Sequence, residues 1–161
     1  MVAKKFLILP QSRLKQLYAK KDKMHNFTHI LRIKRSVARL RNPNKNINED
    51  FLDFLIAYHG LKEYVRKHRN HFPKLYVQAL LRHTKKPQTL EERLVHDANL
   101  LDNLGKQGIQ KALYVGRLLG RCREHTFAYL RTCLKKGIRF YTKQGKQLGK
   151  KELVYMRRKL Y

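Results

Sequence analysis

The chain has 161 residues and carries 38 Lys plus Arg against 11 Asp plus Glu, a formal net charge of +27. At 42% hydrophobic residues it is too apolar to be a disordered basic tail, and its two cysteines, Cys122 and Cys133, cannot build a disulfide framework or the paired CxxC arrangement of a zinc site. One domain over residues 1–161, in a reducing intracellular compartment, follows from these numbers. A charge this large on so short a chain calls for an anionic partner, with nucleic acid ahead of an acidic membrane surface.

Residues 1–21 read as a basic N-terminal extension. Its apolar stretch, Phe6-Leu7-Ile8-Leu9 before Pro10, is too short for the core of a signal peptide, so the protein is not expected to be secreted. In residues 27–41, Ile30, Ile33, Val37 and Leu40 form one apolar stripe at helical spacing, with Arg32, Arg35 and Arg39 as a basic stripe beside it. Asn42-Pro43-Asn44 stops that helix. Asn48 is placed to cap the next, whose residues 49–58 are apolar on most faces and belong in the core.

Residues 74–83 form a further apolar helix. Thr89 with Glu92 three residues on is a capping box that opens the helix carrying His96-Asp97, and Gly105 and Gly108 mark its end. Residues 109–134 continue as helix, 137–149 are rich in turns, and 150–161 close the chain as a basic helix. No strand alternation and no stretch approaching the roughly 18 to 20 apolar residues of a membrane helix is present. The fold class is all-α.

Charge is unevenly spread. Residues 1–48 hold 13 bases and one acid, residues 49–102 nine and eight, residues 103–161 sixteen and two. A nearly neutral middle is thus flanked by two surfaces suited to polyanions. Arg32, Arg35, Arg39, Lys135, Lys136, Arg139, Lys143, Lys146, Lys150, Lys151, Arg157, Arg158 and Lys159 are the candidate nucleic-acid contacts. Phe140, Tyr141, Tyr155 and Tyr161 lie among them as candidate base-stacking rings or, on the blander reading, as packing for the last helix. No helix-turn-helix signature supports sequence readout of DNA, and the basic helices lack the bulky apolar face needed to lie on a membrane.

Three segments place metal-capable residues on otherwise apolar helices: His25 through Ile33, containing His29-Ile30-Leu31-Arg32-Ile33; Leu52 through His59-Gly60; and His96 through Gly105, containing Asp97-Ala98-Asn99-Leu100-Leu101-Asp102-Asn103-Leu104-Gly105 and followed by Gly108-Ile109. Taken singly, such histidines are more often hydrogen-bonded core residues, and His96-Asp97 reads as capping. In order, and with His83, Pro87-Gln88-Thr89-Leu90-Glu91 and Tyr141-Thr142-Lys143-Gln144-Gly145-Lys146-Gln147-Leu148, they resemble the HD superfamily of metal-dependent phosphohydrolases, in its small bacterial branch, over residues 22–158.

The resemblance implies a helical bundle in which His29, His59, the residue at 60 and Asp97 hold a divalent metal (Mn, Fe, Mg or Zn) that activates water against a phosphoester. Here position 60 is Gly, and Asn26 and Asn99 stand where acids would. His29, His59 and Asp97 then remain as a weak or vestigial set, with His25, His83 and Glu63 as auxiliary candidates. The expected function is a catalytically impaired HD-like scaffold that binds RNA, as in a ribonucleoprotein such as the ribosome. The alternative is an active metal-dependent phosphohydrolase acting on nucleotides or nucleic-acid phosphoesters.

Overall fold

The computed structural model describes residues 8–161, and the stretch containing Lys4, Lys5, Phe6 and Leu7 lies outside them. The described residues form α1 (Gln11–Ala19), α2 (Phe27–Leu40), α3 (Glu49–Tyr58), α4 (Lys62–Lys67), a 3-10 turn at Arg69–His71, α5 (Lys74–Arg82), α6 (Leu90–Asp102), α7 (Gly105–Leu118), α8 (Arg123–Lys136) and α9 (Lys143–Leu160). No strand occurs among them, and no helix among them is long and apolar enough to cross a membrane. Cys122 and Cys133 are both free thiols.

Local chemistry starts α3 and α6 at the expected caps, Asn48 and Thr89, and α2 at Asn26, which the sequence reading did not assign as a cap. The Asn26 side chain accepts from the Thr28 N–H, that of Asn48 from Phe51 and that of Thr89 from Glu92, each satisfying a donor with no intrahelical partner. The Glu92 carboxylate does not close the box on Thr89; it accepts from the Gln88 N–H and from Arg82.

α6 is the hub, packed on α2, α3, α7 and α9. On one side α1–α6 enclose a core in which Ile33, Leu40, Leu52, Phe54, Leu55, Tyr58, Leu80 and Leu94 are almost fully buried. On the other, a smaller cluster of Leu104, Ile109, Leu130, Leu134, Phe140, Met156 and Leu160 joins α7, α8 and α9. Burying an aliphatic side chain of this size stabilises the fold by about 1.5–3 kcal/mol, which is why these faces meet.

Four boundaries differ from the sequence reading. α1 is no loose extension, because Leu14 and Tyr18 are buried in the first core. Gly105 and Gly108 open α7 rather than merely ending α6. Residues 109–134 break at Leu119–Cys122, where Gly120 turns the chain with φ of 68°, a conformation that disfavours side chains. The supposed turn region from 143 onward is helix, since the Thr142 hydroxyl accepts from the Gly145 N–H and starts α9 seven residues early.

Candidate functional site

Three histidines, His29, His59 and His83, are buried in the interior and a partly exposed fourth, His25, adjoins them, with ring centroids 6.0 Å apart for His25 and His29, 5.4 Å for His29 and His59, and 5.0 Å for His59 and His83. α2 carries His29, the end of α3 carries His59 and the end of α5 carries His83. The Leu80 carbonyl can only accept, so His83 carries its proton on Nδ1, 2.7 Å away, and its Nε2 accepts from His59 Nδ1 at 2.8 Å. That leaves His59 Nε2 bare, 3.1 Å from the Asn99 side-chain amide, which can turn its NH₂ toward the lone pair.

Burial, aided by the Lys62 charge, lowers the His83 pKa to about 4. Burial and then the neighbouring His83, His29 and Lys62 hold His59 well below its ordinary value. His29 is lowered too, because burial outweighs its bond to Asp102.

These histidines stay neutral in the folded protein and take protons once it unfolds. Between pH 6.5 and about 4 the unfolded chain therefore gains a proton at position 83 that the native chain refuses, and stability falls as pH falls. For His83 alone the loss reaches about 3 kcal/mol. Urea unfolding at pH 7.5, 6 and 5 should show it, and His83→Gln should shallow the acid slope by about one proton. An unchanged slope would mean that His83 is not the titrating group.

The carboxylates arrive differently from the expected ligand set. Asp97 is fully buried but bonds to none of His25, His29, His59 and His83. It accepts from the backbone N–H of Tyr141 (3.0 Å) and Thr142 (2.7 Å), from the Thr142 hydroxyl (2.7 Å) and from His96 (3.1 Å). It therefore anchors α9. Asp102, which the sequence reading did not single out, is the acid that meets the cluster: His29 Nδ1 donates to it at 2.8 Å, Arg32 Nε at 2.6 Å and Lys111 Nζ at 3.2 Å.

A signal for this was present. At roughly 100° per residue, Asn99 and Asp102 share a face of α6 while Asp97 lies about 140° from Asp102. Lys111 had no such signal, because its burial depends on how α7 packs.

Position 60 is closed as well. The Tyr18 hydroxyl accepts from the Gly60 N–H (3.1 Å) and donates to the Ala57 carbonyl (2.9 Å), and a Cβ at 60 would lie 2.9 Å from the Tyr18 ring. The ring occupies the place a ligand side chain would need. Of the auxiliary candidates, Glu63 is exposed and paired with Arg66, His25 is bonded to Asp22 at 2.7 Å, and His83 is taken by His59.

Among the described residues no group of three His, Cys, Asp or Glu side chains is arranged to hold a metal. The donor set does not fit a divalent cation: the one carboxylate bonded to the buried histidines, Asp102, is already paired with two cations, Arg32 and Lys111. Mn²⁺ titrated calorimetrically into the protein should give no saturable heat. A stoichiometric isotherm that disappears in His59→Ala would restore the metal site.

The outer surface has the opposite character. α9 carries exposed cations around its length: Lys143, Lys146, Lys150, Lys151, Arg157, Arg158 and Lys159, with Glu152 as its one acid. Lys146, Lys150 and Arg157 join Arg139 along an opening of about 610 Å³, and Lys150, Lys151 and Arg158 line another of about 480 Å³. A third, of about 520 Å³, separates Lys151 from Arg35 and Arg39 on α2. Lys135 and Lys136 are exposed at the end of α8.

Arg32, expected among the nucleic-acid contacts, is instead committed to Asp102. The candidate stacking rings are also largely used. Phe140 is buried against Gly149, Tyr155 is half-buried in the second core, and Tyr141 is held edge-on to His96 with the Arg139 guanidinium over it at 4.8 Å. Tyr161 is exposed.

No protein-family model matches the chain, and no curated protein matches it. Its fold is similar to that of a Lactobacillus plantarum protein (TM-score 0.74, 17% identity, covering 93% of this chain and 90% of the other). It is also similar to YpgQ of Bacillus subtilis (TM-score 0.62, 14% identity, 92% and 90%) and to a protein of Listeria innocua (TM-score 0.60, 16% identity, 94% of each). At these identities the likeness is one of fold.

Proposed function

We propose that this chain is an RNA-binding protein built on an HD-like helical scaffold whose metal site has been closed. The observation that carries the reading is the cationic surface that α9 shares with α2: seven exposed bases on one 18-residue helix against a single acid, bordered by Arg35 and Arg39. Cations in such a row neutralise successive phosphates and release counterions, so affinity falls steeply with salt. The neutral residues Gly60 and Asn99 near His59 agree with it, since a scaffold short of anionic donors for a metal is free to take its function from its surface. A ribonucleoprotein is the setting that suits a charge of +27. Phosphohydrolysis at a bound metal has no comparable support, because Asp97 serves α9 and Asp102 serves Arg32 and Lys111.

The test is fluorescence anisotropy with a structured RNA over a salt series. Replacing Arg157, Arg158 and Lys159 together by Glu should weaken binding and shallow the log–log salt slope by about one for each phosphate no longer neutralised. Circular dichroism should report unchanged helix content. Unaltered affinity and slope in the folded variant would remove the C-terminal turns of α9 from the interface, and absence of RNA binding by the unmodified protein would overturn the reading.

A further inference from the structure

The groove between α2 and α9 differs from the rest of the basic surface because its chemistry is layered. Arg35 and Arg39, one turn apart on α2, form one wall, and Lys151 on α9 forms the other. Ser36, Gln107 and Gln147 add uncharged hydrogen-bonding groups to the lining, and Leu101 and Leu148 add apolar surface. Two acids, Asp102 and Glu152, also line the groove. Asp102 is neutralised by Arg32 and Lys111, and Glu152 lies over Gly105 at the N-terminus of α7, where the helix dipole favours a negative charge.

Cations of both helices thus border one opening that also offers uncharged hydrogen-bonding groups. A-form RNA presents the complement: a wide, shallow minor groove that displays 2′-hydroxyls between two phosphate rows.

Ring geometry points the same way. Readers of single strands stack bases on free aromatic faces, worth about 1–3 kcal/mol per base. None of the aromatic residues in the basic region lines this groove, and Tyr141, Tyr155 and Phe140 are engaged elsewhere. We infer that the α2–α9 groove holds the backbone of double-stranded RNA, with Arg35, Arg39 and Lys151 on phosphates and Ser36, Gln107 and Gln147 on ribose 2′-hydroxyls. This rests on the RNA-binding reading and adds the form of RNA recognised and the residues that distinguish it from DNA.

The experiment compares the full chain on three probes of one sequence: an RNA duplex of about 16 base pairs, the matching DNA duplex and the single RNA strand. The RNA duplex should bind about tenfold more tightly than either of the others. Gln107→Ala combined with Gln147→Ala should bring the RNA duplex to near parity with DNA while leaving DNA affinity unchanged, and that unchanged affinity shows that the variant is folded. Arg35→Gln with Arg39→Gln should weaken all three probes. Equal binding of RNA and DNA duplexes by the unmodified protein, a preference for the single strand, or a glutamine variant that keeps the RNA preference would each overturn the inference and leave general RNA binding standing. No binding to any probe at low salt would overturn both.

Discussion

Asp97→Ala is expected to destabilise the protein by about 3–5 kcal/mol, a large part of the 5–15 kcal/mol typical of a domain. Burial alone would push this carboxyl up, but hydrogen bonds from His96, Tyr141 and Thr142 bring it below its usual range, so it is charged in the folded state. That charge sits at the positive end of α9. The first turn approaches so closely that a Cβ on Gly145 would lie 2.5 Å from Asp97 Oδ2.

Alanine at 97 would leave the Tyr141 and Thr142 N–H groups without an acceptor in the interior and take away the anchor of α9, which carries seven exposed cations. Hydrogen exchange should therefore quicken first along α9, and on the proposed RNA-binding reading RNA affinity should fall although residue 97 is fully buried. A loss below about 1 kcal/mol in urea unfolding would show that α9 is held mainly by its apolar packing instead.

Asp102→Ala should cost a similar amount, about 3–5 kcal/mol, for a different reason. Burial raises this carboxyl, but the hydrogen bonds from His29 and Arg32 and the charge of Lys111 more than reverse the effect, so its folded pKa lies below the unfolded value. Its contribution is therefore present above about pH 4 and is lost as pH falls below that toward the folded value. Arg32 is partly exposed and can turn to solvent once its partner is gone, whereas Lys111, only 6% exposed, cannot. The charge stranded on Lys111 carries most of the penalty. Asp102→Leu combined with Lys111→Met should recover a large share of the stability lost in Asp102→Leu alone. Additive losses in that cycle would mean the two residues are not coupled.

The helical class, the caps at Asn48 and Thr89, the stripe of Ile30, Ile33, Val37 and Leu40, and the two basic ends are all legible in the order of residues. Each depends on periodicity or on a hydrogen bond within four residues, and such signals lie on neighbouring positions of the chain. The histidines are linked in the sequence only through the HD resemblance, which names His29 and His59 with Asp97 and leaves His83 as an auxiliary candidate; the fold is what buries His29, His59 and His83 side by side.

What those residues do is settled by how the helices pack. Whether Asp97 or Asp102 meets His29 depends on the rotation of α6 against α2, a bond spanning 73 residues of chain. The fate of position 60 depends on Tyr18, 42 residues away on a helix that composition presents as a basic extension. Arg32 belongs to the basic stripe of α2 by spacing and to the interior by its pairing with Asp102. In each case two side chains compete for one place or one charge, and the outcome is set by which faces bury the most apolar surface when the helices come together. That competition is a property of the assembled fold, because burial couples residues according to distance in space and not along the chain.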